Sequence, residues 1–196
     1  MRFFLVSLLF FLGVNCENYA YGDHYVFRDD ESFHVDKFDF SGKFPELEVM
    51  EIRAERKKRV HFDASGEFPE LETITYKGSF GYLKAKVTGN YPKLSSMTID
   101  CTSCKMDIDC RGIWSRSAHI FIHNISEPIN IILPKDVGVV VHTKVSTGGK
   151  VAVQGDLIKK GRGIWAKTYL NSLANTSAIV LTFEVNSDAG GIITLC

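Results

Sequence analysis

Phe44-Pro45-Glu46-Leu47 recurs along the chain as Phe68-Pro69-Glu70-Leu71 and Tyr91-Pro92-Lys93-Leu94, at offsets of 24 and 23 residues. A glycine lies two residues before each aromatic residue, and a degenerate fourth copy follows 23 residues later as Gly112-Ile113-Trp114-Ser115. A fixed period of this length is typical of proteins in which each repeat buries its apolar face by stacking on its neighbours. The repeat therefore predicts a stacked architecture, and by itself it indicates no reaction.

Each repeat contains two segments in which apolar and polar residues alternate, which is the pattern of half-buried strands. The predicted strand pairs are 49–54 with 59–65, 73–77 with 82–88, 97–101 with 105–110, and 118–124 with 129–133; two further pairs are 137–145 with 150–154, and 179–185 with 191–195. A leucine-rich repeat has a similar first half, but its second half would be helical rather than alternating. We therefore predict an all-β fold, a single-stranded, right-handed β-helix with two parallel sheets and turns of about 23 residues.

The first sixteen residues have the features of a secretory signal peptide, because Arg2 precedes an apolar segment, 3–14, that is too short for a transmembrane helix. Cleavage is expected after residue 16, with residue 22 as the later alternative; a third interpretation makes Cys16 the lipidated first residue of a lipoprotein. The sequence thus predicts an exported protein of the periplasm or cell surface, with no transmembrane span after signal removal.

The remainder is interpreted as a leader, 17–37, followed by one domain, 38–196, with a first strand expected at 32–40. The domain divides into the Phe-Pro-x-Leu repeats, 38–134, and a C-terminal part, 135–196, interrupted by an insertion at 155–176. The 23 lysines and arginines of this 196-residue chain balance its 23 aspartates and glutamates, which argues against a nucleic-acid partner.

Four cysteines remain after the signal segment, namely Cys101, Cys104, Cys110 and Cys196. An exported chain with an even number of cysteines permits disulfides, and all four are candidates. Cys101 and Cys110 are predicted not to pair with each other, because they end two strands that lead away from one turn, roughly 15 Å apart.

The predicted stacking aligns outward-facing residues into columns. Asp100, His123 and His142 would form one such column, and two histidines with a carboxylate are potential metal ligands. On the other sheet His61, Lys84 and Asp107 form one column, and 63, 86 and 109 form the next, as ladders of opposite charge. We expect no resident metal or cofactor, and the column of Asp100, His123 and His142 is the one candidate metal site.

Residues from about 110 to 196 resemble the toast-rack or "putative adhesin" domains of bacterial cell-envelope proteins, which are similar to auto-transporter adhesin heads. The resemblance is carried by the Leu-Pro-x-x-x-Gly turn within 129–141 and by the glycine turns at 146–149 and 187–191. It implies an extracytoplasmic β-helix and supplies no catalytic residues. It also implies a possible role as a module that senses envelope stress.

These observations favour a non-catalytic envelope protein whose β-solenoid surface serves structure or macromolecular interaction, with an unknown envelope protein or polysaccharide as the partner. The alternatives are an envelope enzyme that acts on polysaccharide or uses a metal, and a binding protein of the leucine-rich-repeat type. Four aromatic residues are candidates for a binding strip: Trp114, Phe121, Trp165 and Tyr169. Trp165 and Tyr169 lie in the insertion, where we expect them to cap the core.

Overall fold

The computed structural model describes residues 17–21, 24–28, 35–54, 59–161, 163 and 165–196, so the predicted signal segment and Cys16 lie outside the described residues. Within these ranges the chain is entirely β-structure, with no helix. The strands are β1 (Glu17–Tyr21), β2 (His24–Arg28), β3 (Val35–Asp39), β4 (Val49–Ala54), β5 (Arg59–Asp63), β6 (Thr73–Lys86), β7 (Asn90–Tyr91), β8 (Ser96–Asp109), β9 (Ile113–Trp114), β10 (Ala118–Asn124), β11 (Ile129–Ile132), β12 (Gly138–Val145), β13 (Lys150–Val153), β14 (Ile158–Lys160), β15 (Ala166–Leu170), β16 (Val180–Ser187) and β17 (Ile192–Leu195). None of the described segments is a helix that could span a membrane.

The repeat period sets the pairing between strands, since residues one repeat apart lie side by side. Met50 of β4 pairs with Ile74 of β6, which pairs with Met97 of β8, which pairs with Ile120 of β10. All four side chains are buried, and their neighbours along each strand face outward. The prediction of an all-β chain is confirmed: fifteen strands join in one large, mostly parallel sheet, and β7 and β9 form a separate pair of strands.

β6 and β8 are each 14 residues long and combine two strands that the sequence analysis separates. The first half of β6 pairs with β4, and its second half pairs with β5. Pairing between β6 and β8 continues through the bend, where Phe80 lies opposite Ser103 and Gly81 opposite Cys104. The predicted turn is therefore a bend within a continuous strand, and Gly81 has a φ of 105° there, a conformation that favours glycine.

The aromatic residues of the repeat signature form one stacked column inside the molecule. Phe44 stacks on Phe68 with ring centroids 5.3 Å apart, Phe68 on Tyr91 at 5.5 Å, and Tyr91 contacts Trp114 at 5.4 Å. Phe68, Tyr91 and Trp114 are buried, and Phe44 packs against the core from the partly exposed end. We refer to these four residues as the aromatic column.

The glycines that precede the aromatic column allow neighbouring repeats to approach closely. A Cβ atom on Gly66 would lie 2.1 Å from the carbonyl oxygen of Gly42, and one on Gly89 would lie 2.4 Å from that of Gly66. The same backbone atoms are hydrogen-bonded across repeats, since the Asn90 N–H donates to the Gly66 carbonyl at 3.0 Å. A side chain at these positions would therefore separate paired backbones.

Strands are also present in the segment interpreted as a leader. β2 pairs in parallel with β4, with His24 opposite Val49, and β1 pairs antiparallel with β2 at the edge of the sheet. The first predicted strand, 32–40, corresponds to β3, which pairs in parallel with β5.

The C-terminal strands do not follow the serial order that the stacking predicts. β16 lies between β10 and β12 and pairs in parallel with both, and β17 likewise lies between β11 and β13. β12 is instead followed in the sheet by β15 and β14, which are antiparallel and come from the insertion. The last turn of the chain is thus inserted between two earlier turns, and the insertion covers the edge strand β12.

Candidate ligand-binding face

The outward side chains of β10, β16, β12 and β15 form a continuous surface that we call the front face. The register places Phe121, Glu184, His142 and Thr168 in one column across these strands. The adjacent column contains His123, Asn186, Lys144 and Ala166. Neighbouring residues in a column are about 5 Å apart, so these side chains can act on one bound molecule.

His123 is held between two carboxylates. Its Nδ1 lies 2.8 Å from Oδ1 of Asp100, and its Nε2 lies 2.9 Å from Oδ2 of Asp188, in the turn that follows β16. Burial alone lowers the pKa of His123, but the hydrogen bonds to Asp188 and Asp100 outweigh it, and the pKa is raised above its ordinary value. His123 therefore joins three successive layers, β8, β10 and the inserted C-terminal turn.

The structure does not bring the three residues of the predicted metal column together. Asp100 is paired with His123, but the next strand is β16, so Asn186 takes the place expected for His142. His142 lies in the other column, opposite Glu184 and Thr168. The two ring nitrogens of His123 face separate carboxylates, so the two carboxylates and one ring nitrogen cannot bind the same metal ion. Among the described residues, no group of three or more histidines, cysteines, aspartates or glutamates is arranged to hold a metal.

A cleft of about 250 Å³ opens on the front face where the insertion meets the sheet. Its polar lining includes His142, Lys144, Lys160, Lys167, Thr168, Glu184 and Asn186, and we call it the basic cleft. β15 and β14 extend the sheet past β12 and supply Thr168 and Lys160, while β16 supplies the carboxylate and the amide. Of these residues, only His142 is a candidate site residue predicted from the sequence.

Within the basic cleft, Nδ1 of His142 lies 3.0 Å from Oγ1 of Thr168. A nucleophilic hydroxyl needs a base that a third group orients. Glu184 is the register neighbour of His142, but no hydrogen bond joins the two side chains. The arrangement therefore supports hydrogen bonding to a ligand better than hydrolysis.

The aromatic candidates divide between core and surface. Trp114 is buried in the aromatic column, and its Nε1–H donates to the Cys110 carbonyl at 3.1 Å, so it is not a surface residue. Tyr169 is buried on β15 beside Val141 and covers the edge of the core, as expected for a cap. Trp165 is 50% exposed and precedes Ala166 at the cleft, so it lies on the surface rather than in the cap. Phe121 is half-buried on the front face, with its ring 6.3 Å from that of His123.

The four described cysteines are free thiols, and none of them forms a disulfide that the sequence permits. Cys101, Cys104 and Cys110 are buried, and Cys196 is half-buried. A hydrogen bond to Cys104 and burial raise the pKa of Cys101, and burial raises the pKa of Cys110. Thiols in this state are poor nucleophiles, so they serve as small core residues here.

The predicted charge ladders are present on the part of the large sheet formed by β3, β5, the second halves of β6 and β8, and β11, which we call the second sheet. His61 pairs with Lys84, which pairs with Asp107, and the neighbouring column pairs 63 with 86 and 86 with 109. Asp107 accepts hydrogen bonds from Tyr82 at 2.5 Å and from Asn130 at 2.6 Å. The hydrogen bond to Asp107 raises the pKa of Tyr82 to about 12. The aspartates of the second sheet are thus hydrogen-bonded or ion-paired with neighbouring side chains, and this surface has few groups left to bind a ligand.

Comparison with known proteins gives one informative likeness. No protein-family model matches the chain, and no curated protein matches it. A solved structure from Clostridium sporogenes, described as a "putative cell adhesion protein", is similar in fold, with a TM-score of 0.52 and 18% sequence identity. The likeness covers 71% of this chain and 57% of that one, so the chain spans little more than half the length of the solved protein. An identity this low relates the two folds alone.

Proposed function

We propose that the chain is an exported, non-catalytic protein of the cell envelope, a single-stranded, right-handed β-helix whose front face binds another macromolecule. The 23-residue register and the paired halves of each repeat support the β-helix. The fold likeness to a protein described as a "putative cell adhesion protein" supports an interaction role. The signal-like segment of the sequence supports export.

The observation that carries the proposal is the contrast between the two surfaces of the sheet. On the second sheet, the aspartates are occupied by neighbouring side chains, as in Asp63 with Lys86 at 3.3 Å. The front face instead opens into the basic cleft, where cationic, hydroxyl and amide groups line a recess. Convergent polar groups in a concave site are the ordinary feature of ligand recognition.

Export is tested by expressing the full chain in a bacterial host and measuring the mass of the protein recovered outside the cytoplasm. A mass that corresponds to cleavage after residue 16 or 22, or to a lipid on Cys16, supports the proposal. Recovery of the uncleaved chain from the cytoplasm alone contradicts it.

Interaction is tested by coupling the purified exported chain to beads and measuring retention on whole bacterial cells and on surfaces coated with isolated envelope polysaccharides. Retention above that of beads carrying an unrelated β-protein is the expected result. Absence of retention on cells and on every polysaccharide contradicts an interaction role, and turnover of a polysaccharide during the assay would favour the enzyme alternative.

A further inference from the structure

The balanced charge of the whole chain conceals a strong local asymmetry. Residues 135–170 contain seven lysines and arginines but two aspartates and no glutamate. Because the chain as a whole is neutral, the remaining residues carry an equal surplus of negative charge. The positive surplus belongs to β12, β13, β14, β15 and the turns between them, which include the edge where the basic cleft opens.

Two lysines of this segment lie on the front face and line the basic cleft, Lys144 opposite Asn186 and Lys160 opposite Thr168. Neither forms an ion pair with a described carboxylate. Several cations of the repeats are paired, since Lys43 pairs with Glu67 at 3.0 Å and Arg111 with Asp109 at 2.7 Å. Unpaired ammonium groups around a recess leave a positive potential that a bound anion would neutralise.

The remaining polar groups of the cleft are suited to hydroxyl-bearing ligands. Thr168 and Asn186 offer a hydroxyl and an amide, and Glu184 offers a carboxylate acceptor in the same recess. Phe121 lies directly beside Glu184 on β10 and presents a half-buried aromatic ring at the margin of the cleft. Hydroxyl donors and acceptors around fixed positive charge match a sugar that carries an acidic group.

The shape of the charged region favours a glycan over a nucleic acid. Nucleic-acid surfaces are basic stripes, with several aromatic residues where single-stranded bases stack. Here the cleft lysines line one recess of about 250 Å³, a single aromatic residue, Phe121, lies beside its Glu184, and the front-face strand next along, β8, presents Asp100. A recess of this size fits a single acidic sugar unit within a chain better than it fits a phosphate backbone.

We infer that the basic cleft binds acidic polysaccharide, through the carboxylate or sulfate group of one sugar unit held by Lys144 and Lys160. The inference rests on the proposed interaction function and assigns its ligand class. It also accounts for the position of the insertion, which supplies Lys160 and Thr168 to an edge that would otherwise lack them.

The experiment measures binding of the purified full chain to polygalacturonate, dextran sulfate, neutral dextran and duplex DNA by biolayer interferometry. The test variant carries Lys144→Gln and Lys160→Gln together. The matched control carries Lys84→Gln and Lys105→Gln on the second sheet, so both variants lose the same charge. Thermal unfolding of each variant verifies that it remains folded.

The expected result is binding to one or both acidic glycans, none to neutral dextran, and a loss of affinity of about tenfold or more in the cleft variant only. Preference for polygalacturonate or dextran sulfate identifies the acidic group as carboxylate or sulfate. Binding should also weaken as salt is raised, because the contact is ionic.

Three outcomes would overturn the inference: equal loss in both variants, unchanged affinity in the cleft variant, or tighter binding to DNA than to either glycan. Retention of the cleft variant on whole cells at the wild-type level would remove the inference and leave the proposed interaction function intact. Absence of cell binding by the wild-type chain would remove the proposed function itself.

Discussion

Replacing Phe68 with alanine tests whether the aromatic column supports the stacked repeats. Phe68 is 1% exposed and lies between Phe44 and Tyr91, with ring centroids 5.3 and 5.5 Å away. Truncation of a fully buried phenylalanine costs about 3–5 kcal/mol, and the loss of two ring partners places this site in the upper part of that range. For a chain of this size each kcal/mol corresponds to about 2–4 °C, so a cost of about 4–5 kcal/mol should lower the melting temperature by about 8–20 °C.

The assay is thermal unfolding followed by circular dichroism, with chemical unfolding in urea as the second measurement. Phe121→Ala is the matched control, because it removes the same side chain from a half-buried position on the front face. We expect the control to lower stability by about 1 kcal/mol or less, as a surface substitution does. Phe68→Leu separates the contribution of buried apolar volume from that of ring stacking, since it retains most of the volume and removes the ring contacts.

A melting temperature for Phe68→Ala within about 3 °C of that of Phe121→Ala would refute this reasoning. It would mean that neighbouring repeats are held by their backbone pairing and strand cores alone. Equal stability of Phe68→Leu and wild type would assign the effect to volume rather than to ring stacking.

Three further predictions concern other parts of the fold. Because the pKa of His123 is raised, its contribution to stability is fully present below the ordinary histidine pKa of about 6.5 and is lost as the pH rises through the raised value. The melting-temperature difference between wild type and His123→Gln should therefore be larger at pH 5 than at pH 9. Gly89→Ala should destabilise the protein by about 1–3 kcal/mol in urea unfolding, since its Cβ would meet the Gly66 carbonyl, whereas Gly42→Ala, with no atom nearer than 3.8 Å, should change little. Positions 101, 104, 110 and 196 should all react with a thiol reagent after unfolding without reductant, and a loss of two thiols from that total would show a disulfide instead.

The repeat part of the fold could be predicted because its period and its packing have the same cause. Gly66 and Gly89 recur because backbones of successive repeats touch there, and Phe68 and Tyr91 recur because their rings stack. A residue that packs against the equivalent residue of the next repeat must keep a constant spacing from it in the sequence. That spacing therefore indicates which residues of neighbouring strands pair. The same logic placed Asp100 beside His123.

The candidate site could not be predicted in the same way, because its residues come from strands without the repeat signature. Lys160 and Lys167 belong to antiparallel strands of the insertion, and alternation alone does not specify which edge an insertion covers. A local charge count over residues 135–170 would have identified the basic segment, whereas the count over the whole chain concealed it.

The inserted position of β16 determines the chemistry of the front face. In a serial order β10 would lie against β12, and His123 and His142 would be near neighbours of Asp100, as the stacking predicts. With β16 between them, Asn186 separates His123 from Lys144, and Asp188 reaches the far side of the His123 ring. β10 and β12 therefore acquire their final neighbours only when β16 has inserted between them. The contacts that define the front face are long-range in sequence, so we expect them to form late in folding. Since Glu184 and Asn186 of the basic cleft also come from β16, the cleft is complete only when the last turn of the chain is in place.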